Sequence, residues 1–236
     1  MKTVPQLIEA DTIIEAWKQS AHILIKGGDR LNLVVHISEP SVIDNEQLRQ
    51  YDPKRVHTSA MSVFDVASTI FPKPNKRWSW DVDRFSVYYT RVYDRLKHRS
   101  APGWGFYFQR LVSFGASHSN QLYGIVNGLS HWGRHHHGAF VLHVSSVETD
   151  KPRPLGAPCW QYAQFMADGD RLELLVAYRS HDYFLKALGN FVGLSRLLSF
   201  VCKKTGHTIG SLTCVSTYAY LNNHRVRTKQ LLETTI

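Results

Sequence analysis

The sequence predicts an α+β fold in which helices pack on a mixed β-sheet and one long helix lies at the centre. Two observations point there. A 3.6-residue apolar period runs over residues 183–203 through Leu185, Leu188, Phe191, Val192, Leu197 and Leu198. Three short apolar segments of strand length precede it, at 139–147, 162–166 and 172–178. Gly206 and Gly210 then bracket a return to strand over 211–221. This pattern suits one long helix packed across a sheet.

The other elements follow from the N-terminus. Leu7, Ile8, Ile13, Ile14, Trp17, Ala21 and Leu24 fall near a helical period over 6–26, and Gly27-Gly28-Asp29 stops that helix. Residues 31–37 are rich in Leu and Val and read as a strand. A second helix is expected at 59–70, closed by Phe71-Pro72, with Lys73-Pro74-Asn75-Lys76 as a turn. Residues 85–98 are aromatic and charged at helical spacing, and Gly103-Trp104-Gly105 breaks the chain before Phe106-Tyr107-Phe108. A further helix is expected at 120–129, followed by a loop holding His131, Arg134, His135, His136 and His137. The tail from Asn222 onward is basic and polar. With no repeat, low-complexity tract or linker, residues 1–236 read as one domain.

Composition narrows the class. Hydrophobic residues make up 43% of the chain and aromatic residues 12%, which excludes a disordered chain. The net charge of +9 favours an anionic partner. Three cysteines, an odd number with no CxxC pairing, argue against a disulfide framework and for a reducing compartment. No apolar run reaches the roughly 18 residues of a membrane span, and the start lacks the apolar core of a signal peptide. A cytoplasmic protein with no membrane partner is the expectation.

Chemistry concentrates between residues 158 and 190. Pro158-Cys159 is followed by Gln164-Phe165, then Tyr178-Arg179-Ser180-His181-Asp182, then Asn190. A nucleophilic thiol must ionise, and a nearby guanidinium favours the thiolate. Cys159 at the start of one strand and Arg179 at the end of the next could meet. The fork of Arg179 also suits a phosphate, and the amide of Asn190 could read a base edge with both donor and acceptor. Taken singly, a cysteine between proline and tryptophan is more often a small core residue.

Together these residues resemble the catalytic half of the thymidylate synthase and deoxycytidylate hydroxymethylase superfamily. In that family Pro-Cys leads through Gln-Phe to Arg-Ser-x-Asp, with Asn eight residues after the Asp. The resemblance covers about 150–222 and reaches the N-terminal half in outline, where Gly27-Gly28-Asp29-Arg30 looks like a phosphate loop. It implies a thymidylate-synthase-like sandwich and folate-dependent C5 one-carbon transfer to a pyrimidine nucleotide, giving a methyl or a hydroxymethyl product. Cys159 would add to C6 of the ring, and the donor would be 5,10-methylenetetrahydrofolate. Asp182 would orient the folate, and Tyr107 joins Cys159 and Asp182 as a catalytic candidate. Arg30, Arg179 and Ser180 would hold the phosphate, and Asn190 would face the O4/N3 edge, where Asn suits uracil and Asp cytosine. Gln164, Tyr218 and Tyr220 complete the implied substrate set, and a homodimer is implied because the family builds its sites across a two-fold interface.

The departures are specific. Trp160 stands where the family usually has His. The family's paired arginines fall near His136-His137-Gly138, so either Arg134 with the histidines, His137 among them, substitutes for them, or phosphate binding is weaker or absent. Its His-x-Tyr appears as Tyr218-Ala219-Tyr220, which keeps only Tyr220. A second reading therefore stays open, a catalytically divergent member that binds a nucleotide or nucleic acid.

Rival signals are weaker. Three consecutive histidines cannot all point at one ion from regular structure, so no metal is expected. The aromatic and basic run from Tyr88 to Lys97 could stack on single strands, but an amphipathic helix explains it more cheaply and no nucleic-acid-binding signature accompanies it. There is no GxSxG and no Ser-His-Asp order.

Overall fold

A computed structural model of the chain describes residues 4–73, 81, 83, 84, 87, 88, 91, 104–132, 138–150 and 156–233. The helix expected at 85–98 falls almost wholly outside them, as do Trp78, Trp80, Arg134 and His135 to His137.

One mixed sheet organises the molecule. Its strands are β1 (Gln6–Ala10), β2 (Arg30–Ile37), β3 (Val141–His143), β4 (Trp160–Asp168), β5 (Arg171–Tyr178), β6 (His181–Asp182) and β7 (Thr208–Tyr220). The spatial order is β1-β2-β7-β5-β4-β3, with β6 paired to the far end of β7. β4 and β5 form an antiparallel hairpin around Gly169, whose φ of 59° favours glycine. β7 runs parallel to β5 and antiparallel to β2, so the long helix has to carry the chain back across the sheet.

Burial alternates along each strand, and the buried set defines the core face. Leu33, Val35 and Ile37 of β2 lie beside Leu212, Cys214 and Ser216 of β7, then Leu174, Val176 and Tyr178 of β5, all at or near zero exposure. On this face pack α1 (Ile13–Gly27) and α6 (Ala187–Thr205). The remaining helices are α2 (Asn45–Gln50), α3 (Val63–Ile70), α4 (Tyr107–Val112), α5 (Gln121–His131) and α7 (Arg225–Glu233). No helix among the described residues is long and apolar enough to cross a membrane.

Local chemistry explains where the expected boundaries move. The first helix begins at Ile13 because Thr12 and Glu15 form a reciprocal capping box. Gln6–Ala10 is instead a strand parallel to β2, with Ile8 buried and Leu7 on the exposed side. Ser62 accepts from the Asp65 amide, so the second expected helix starts at Val63 rather than near 59. The long helix begins at Ala187, since Tyr183 is spent on a turn after β6, and it closes on Gly206 in the left-handed conformation.

Two glycines let α6 approach α3 closely. A β-carbon at Gly189 would stand 2.6 Å from the Val66 Cβ and 2.8 Å from the Val63 carbonyl oxygen. At Gly193 it would stand 2.7 Å from the Ala67 carbonyl oxygen. α4 is fastened differently, by a bidentate ion pair between Arg110 and Asp150 whose side chains are only 6% and 5% exposed. Arg110 also donates to the carbonyls of Trp104 and Val144 and lies over the Trp104 ring.

Candidate active site

The site forms where the end of the β4–β5 hairpin, the short β6 and the start of α6 meet α3 and α4. Cys159 precedes β4, and its carbonyl accepts from the Arg179 amide at 2.9 Å, which closes the open end of the hairpin. Tyr107, the first residue of α4, accepts at its hydroxyl from the amides of Cys159 (3.1 Å) and Trp160 (3.3 Å). The turn carrying the thiol is therefore pinned from inside. From outside, the Arg179 guanidinium donates to the carbonyls of Pro158 (2.9 Å) and Ala157 (3.1 Å).

Cys159 is half-buried, and burial raises its thiol above the ordinary value. Arg179 pulls in the opposite direction, Asp182 adds to the rise, and Lys186 opposes it. Thiolate is the form that grows as pH rises. We expect carboxymethylation of Cys159, followed on its own peptide, to have a pH midpoint above the free-thiol value of about 8.5. Arg179→Ala should move that midpoint further up, and an unmoved or lower midpoint would separate Arg179 from the thiol.

β6 puts Asp182 opposite Tyr220 of β7. The Asp182 carboxylate accepts from the Phe184 and Leu185 amides and so shapes the turn into α6. Burial still raises its pKa, against those amides, His224 and Lys186. His181, 1% exposed, lies flat on Tyr178 with ring centroids 4.1 Å apart. Its Nδ1 is 2.9 Å from Ser216 Oγ and its Nε2 is 3.0 Å from Asn190 Nδ2. Burial lowers its pKa to about 3, so the ring is neutral at ordinary pH. Burial first, then Asp182, pushes Tyr220 up to about 12, with Ser180 opposing the rise.

A cavity of about 550 Å³ opens among these residues. Cys159, Ser180, Asp182, Asn190, Tyr107 and Tyr220 all line it, so six of the expected site residues converge on one space. Met61, Val66, Trp104 and Phe106 supply flat or apolar walls. The size and the mix of apolar walls with a few polar groups are those of a small-molecule site.

The rest of the expected set lies elsewhere. Arg179 stands behind the thiol and outside the lining. Arg30, 6% exposed, sits at the start of β2 opposite Ala219, and its Nε has no partner among the described residues. Tyr218 donates to Asp29 at 2.8 Å and stacks on Tyr220 at 5.2 Å, linking the Gly27–Arg30 turn to the cavity edge. Gln164 belongs to the sheet face opposite the helices, because it alternates with the buried Ala163 and Phe165, and its amide oxygen accepts from Tyr162.

Two residues that spacing did not single out also belong to the site. His181 was read as the variable position of a motif, yet it holds Asn190. Lys186 lines the cavity with its ammonium 3.3 Å from the Met61 sulfur, and burial lowers its pKa. The available signal was its position: it is the cap of α6, where the helix dipole disfavours a cation.

No protein-family model matches the chain. A protein of Methanococcoides burtonii named "Putative thymidylate synthase" is 24% identical over 223 residues, 94% of this chain and 91% of its own length. Proteins of the same name from Methanosarcina barkeri and Methanosarcina mazei are 33% and 34% identical over 67 residues, 28% of this chain and 31% of theirs. The chain is thus, over nearly its whole length, a distant relative of a protein bearing the thymidylate synthase name.

Proposed function

We propose that this protein transfers a one-carbon unit to C5 of a pyrimidine nucleotide, with Cys159 as nucleophile and 5,10-methylenetetrahydrofolate as donor. The observation that carries the reading is the convergence of Cys159, Ser180, Asp182 and Asn190, from separate elements, on one cavity. The Cys159 sulfur bonds to C6, and the displaced electron pair moves through C5 toward O4, which makes C5 a carbon nucleophile. Asn190 receives the developing charge at O4 and the neighbouring N3. Ser180, on the cavity wall, would hold the phosphate, while Arg179 backs the nucleophile turn from outside the lining and Tyr107 keeps that turn rigid. Burial raises the Tyr107 hydroxyl, so it stays protonated and acts by position.

The residues present fit a flat heteroaromatic donor. Trp104, Phe106, Val66 and Met61 offer it apolar faces, and Asp182 stands beside them for a polar ring edge. When bound, the donor supplies the carbon and, for a methyl product, the hydride. Asp182 would bind its ring edge and Lys186 an acidic or carbonyl group. The homodimer reading is supported by the sheet face away from the helices, where Val34, Val215, Leu175 and Ala177 are only half-buried.

The test is tritium release from 5-tritiated dUMP, UMP, dCMP and CMP, with and without the folate. Release from a uracil nucleotide that grows with folate is expected. No release from any of the four by folded protein would favour the second reading, a nucleotide-binding protein without turnover. The upward shift of the Cys159 thiol is the observation that favours it.

A further inference from the structure

Asp182, Lys186 and Asn190 are spaced four residues apart, on successive turns that lead into α6. The Lys186 amide donates to the Asp182 carbonyl at 3.1 Å, and the Asn190 amide donates to the Lys186 carbonyl at 2.8 Å. That spacing puts the three residues on one face, and all three line the cavity that holds Cys159. Lys186 therefore stands between the amide proposed to read the ring and the carboxylate proposed to meet the donor.

Its surroundings work against the charged form. Lys186 caps α6, where the helix dipole disfavours a cation. Among the described residues its nitrogen bonds to the Met61 sulfur at 3.3 Å, and a thioether is a weak acceptor. Val66, Trp104 and Phe106 wall the same space. Burial lowers its pKa, while the two acidic groups that act on it, Asp182 and Cys159, favour keeping the proton.

The other proton-active groups among the described lining residues are committed elsewhere. The Tyr107 hydroxyl accepts from two amides, which occupies its lone pairs, and burial keeps its proton on. Burial and Asp182 likewise keep Tyr220 protonated. His181 is neutral, with one ring nitrogen against Ser216 and the other against Asn190. Asp182 gives one oxygen to the Phe184 and Leu185 amides, and a carboxylate is a far weaker base than an amine.

We infer that Lys186, as the free amine, is the base that removes the proton from C5 of the nucleotide once Cys159 is bonded to C6. The inference rests on the pyrimidine-nucleotide reading proposed above and names its proton acceptor. In an adduct formed without donor, C5 carries its own hydrogen and one taken from solvent. The amine lone pair takes a C5 hydrogen as a proton, the C–H electron pair forms the C5–C6 double bond, and the C6–S pair returns to sulfur as thiolate. The ammonium exchanges its protons with water, so the reverse step puts solvent hydrogen on C5. No donor or other reactant is consumed. A neutral amine keeps two N–H groups, so this role leaves Lys186 able to hydrogen-bond the donor.

The experiment has a ligand-free arm and an exchange arm. In the first, the ¹³Cε resonance of Lys186, assigned by its loss in Lys186→Met, should titrate below the ordinary lysine value of about 10.4. A midpoint at or above that value would overturn the inference without reference to function. In the second, replacement of H5 by deuterium is followed by proton NMR in dUMP, UMP, dCMP and CMP, with no folate present. Lys186→Met should slow the exchange about 10²–10⁴-fold. Lys186→Arg should slow it as much, because a guanidinium keeps the charge but accepts no proton. Methylamine added to Lys186→Ala should restore exchange in proportion to its free-base concentration, a response that a structural role would not give. Exchange at the parent rate in the Met or the Arg variant, or no rescue by the amine, would overturn the role of Lys186 and leave the pyrimidine reading standing. A parent that binds a nucleotide without exchanging H5 would do the same. A parent that binds none of the four would remove the pyrimidine reading and this role with it.

Discussion

Replacement of Cys159 by alanine is expected to lower tritium release and product formation by roughly 10⁴-fold or more, the scale on which an essential nucleophile is lost. The fold should hardly respond. Cys159 is half-buried at the cavity, its amide still reaches the Tyr107 hydroxyl, and its carbonyl still receives the Arg179 amide. Removing one sulfur atom from a surface already open to solvent leaves no sealed void, so thermal unfolding should shift by no more than a few degrees. Nucleotide affinity should also survive, because Asn190, Ser180 and Arg179 are untouched. Silent chemistry with intact binding is the signature of covalent catalysis. Retained turnover in this variant would remove Cys159 as the nucleophile.

The largest effect on stability should come from Asp150→Ala. Arg110 and Asp150 are each almost wholly buried, and Asp150 also accepts from the Ser146 amide at 2.9 Å. Deleting the carboxylate strands a guanidinium in a dry environment, a loss of about 3–5 kcal/mol. The damage should spread to the site, because α4 carries both Arg110 and Tyr107, and Tyr107 pins the nucleophile turn. Denaturant melts of the single variant and of Arg110→Met with Asp150→Leu would check this. The double variant should recover most of the lost stability, since a buried pair replaced by apolar groups of like volume costs little. A single variant as stable as the parent would show that the pair is not sealed from water.

Much of this was legible because the site is compact in sequence. Cys159, Ser180, Asp182 and Asn190 lie on one hairpin and the helix that follows, so their spacing already implied proximity. What stayed hidden depends on distant segments. Trp17 donates to the Tyr183 carbonyl from 166 residues away, and Arg110 meets Asp150 across 40 residues. Gln164 sits close to Cys159 in sequence but faces the other side of the sheet, since alternation along β4 outranks nearness. The N-terminal strand escaped because Leu7 and Ile8 happened to continue the phase of the helix after them. Helix α7 escaped for the opposite reason, since only Thr228 and Leu231 are buried in it and no apolar stripe marks it.

The contact between α3 and α6 ties two properties that are usually free to drift apart. Val66 is at once a wall of the cavity and the residue that rests on Gly189, immediately before Asn190. The width of the cavity beside Asn190 is therefore inherited from the spacing of two helices. Any side chain acquired at position 189 must part them and reshape the cavity in the same step. Cavity width and helix packing are in that sense a single trait, with one hydrogen atom at Gly189 as its gauge.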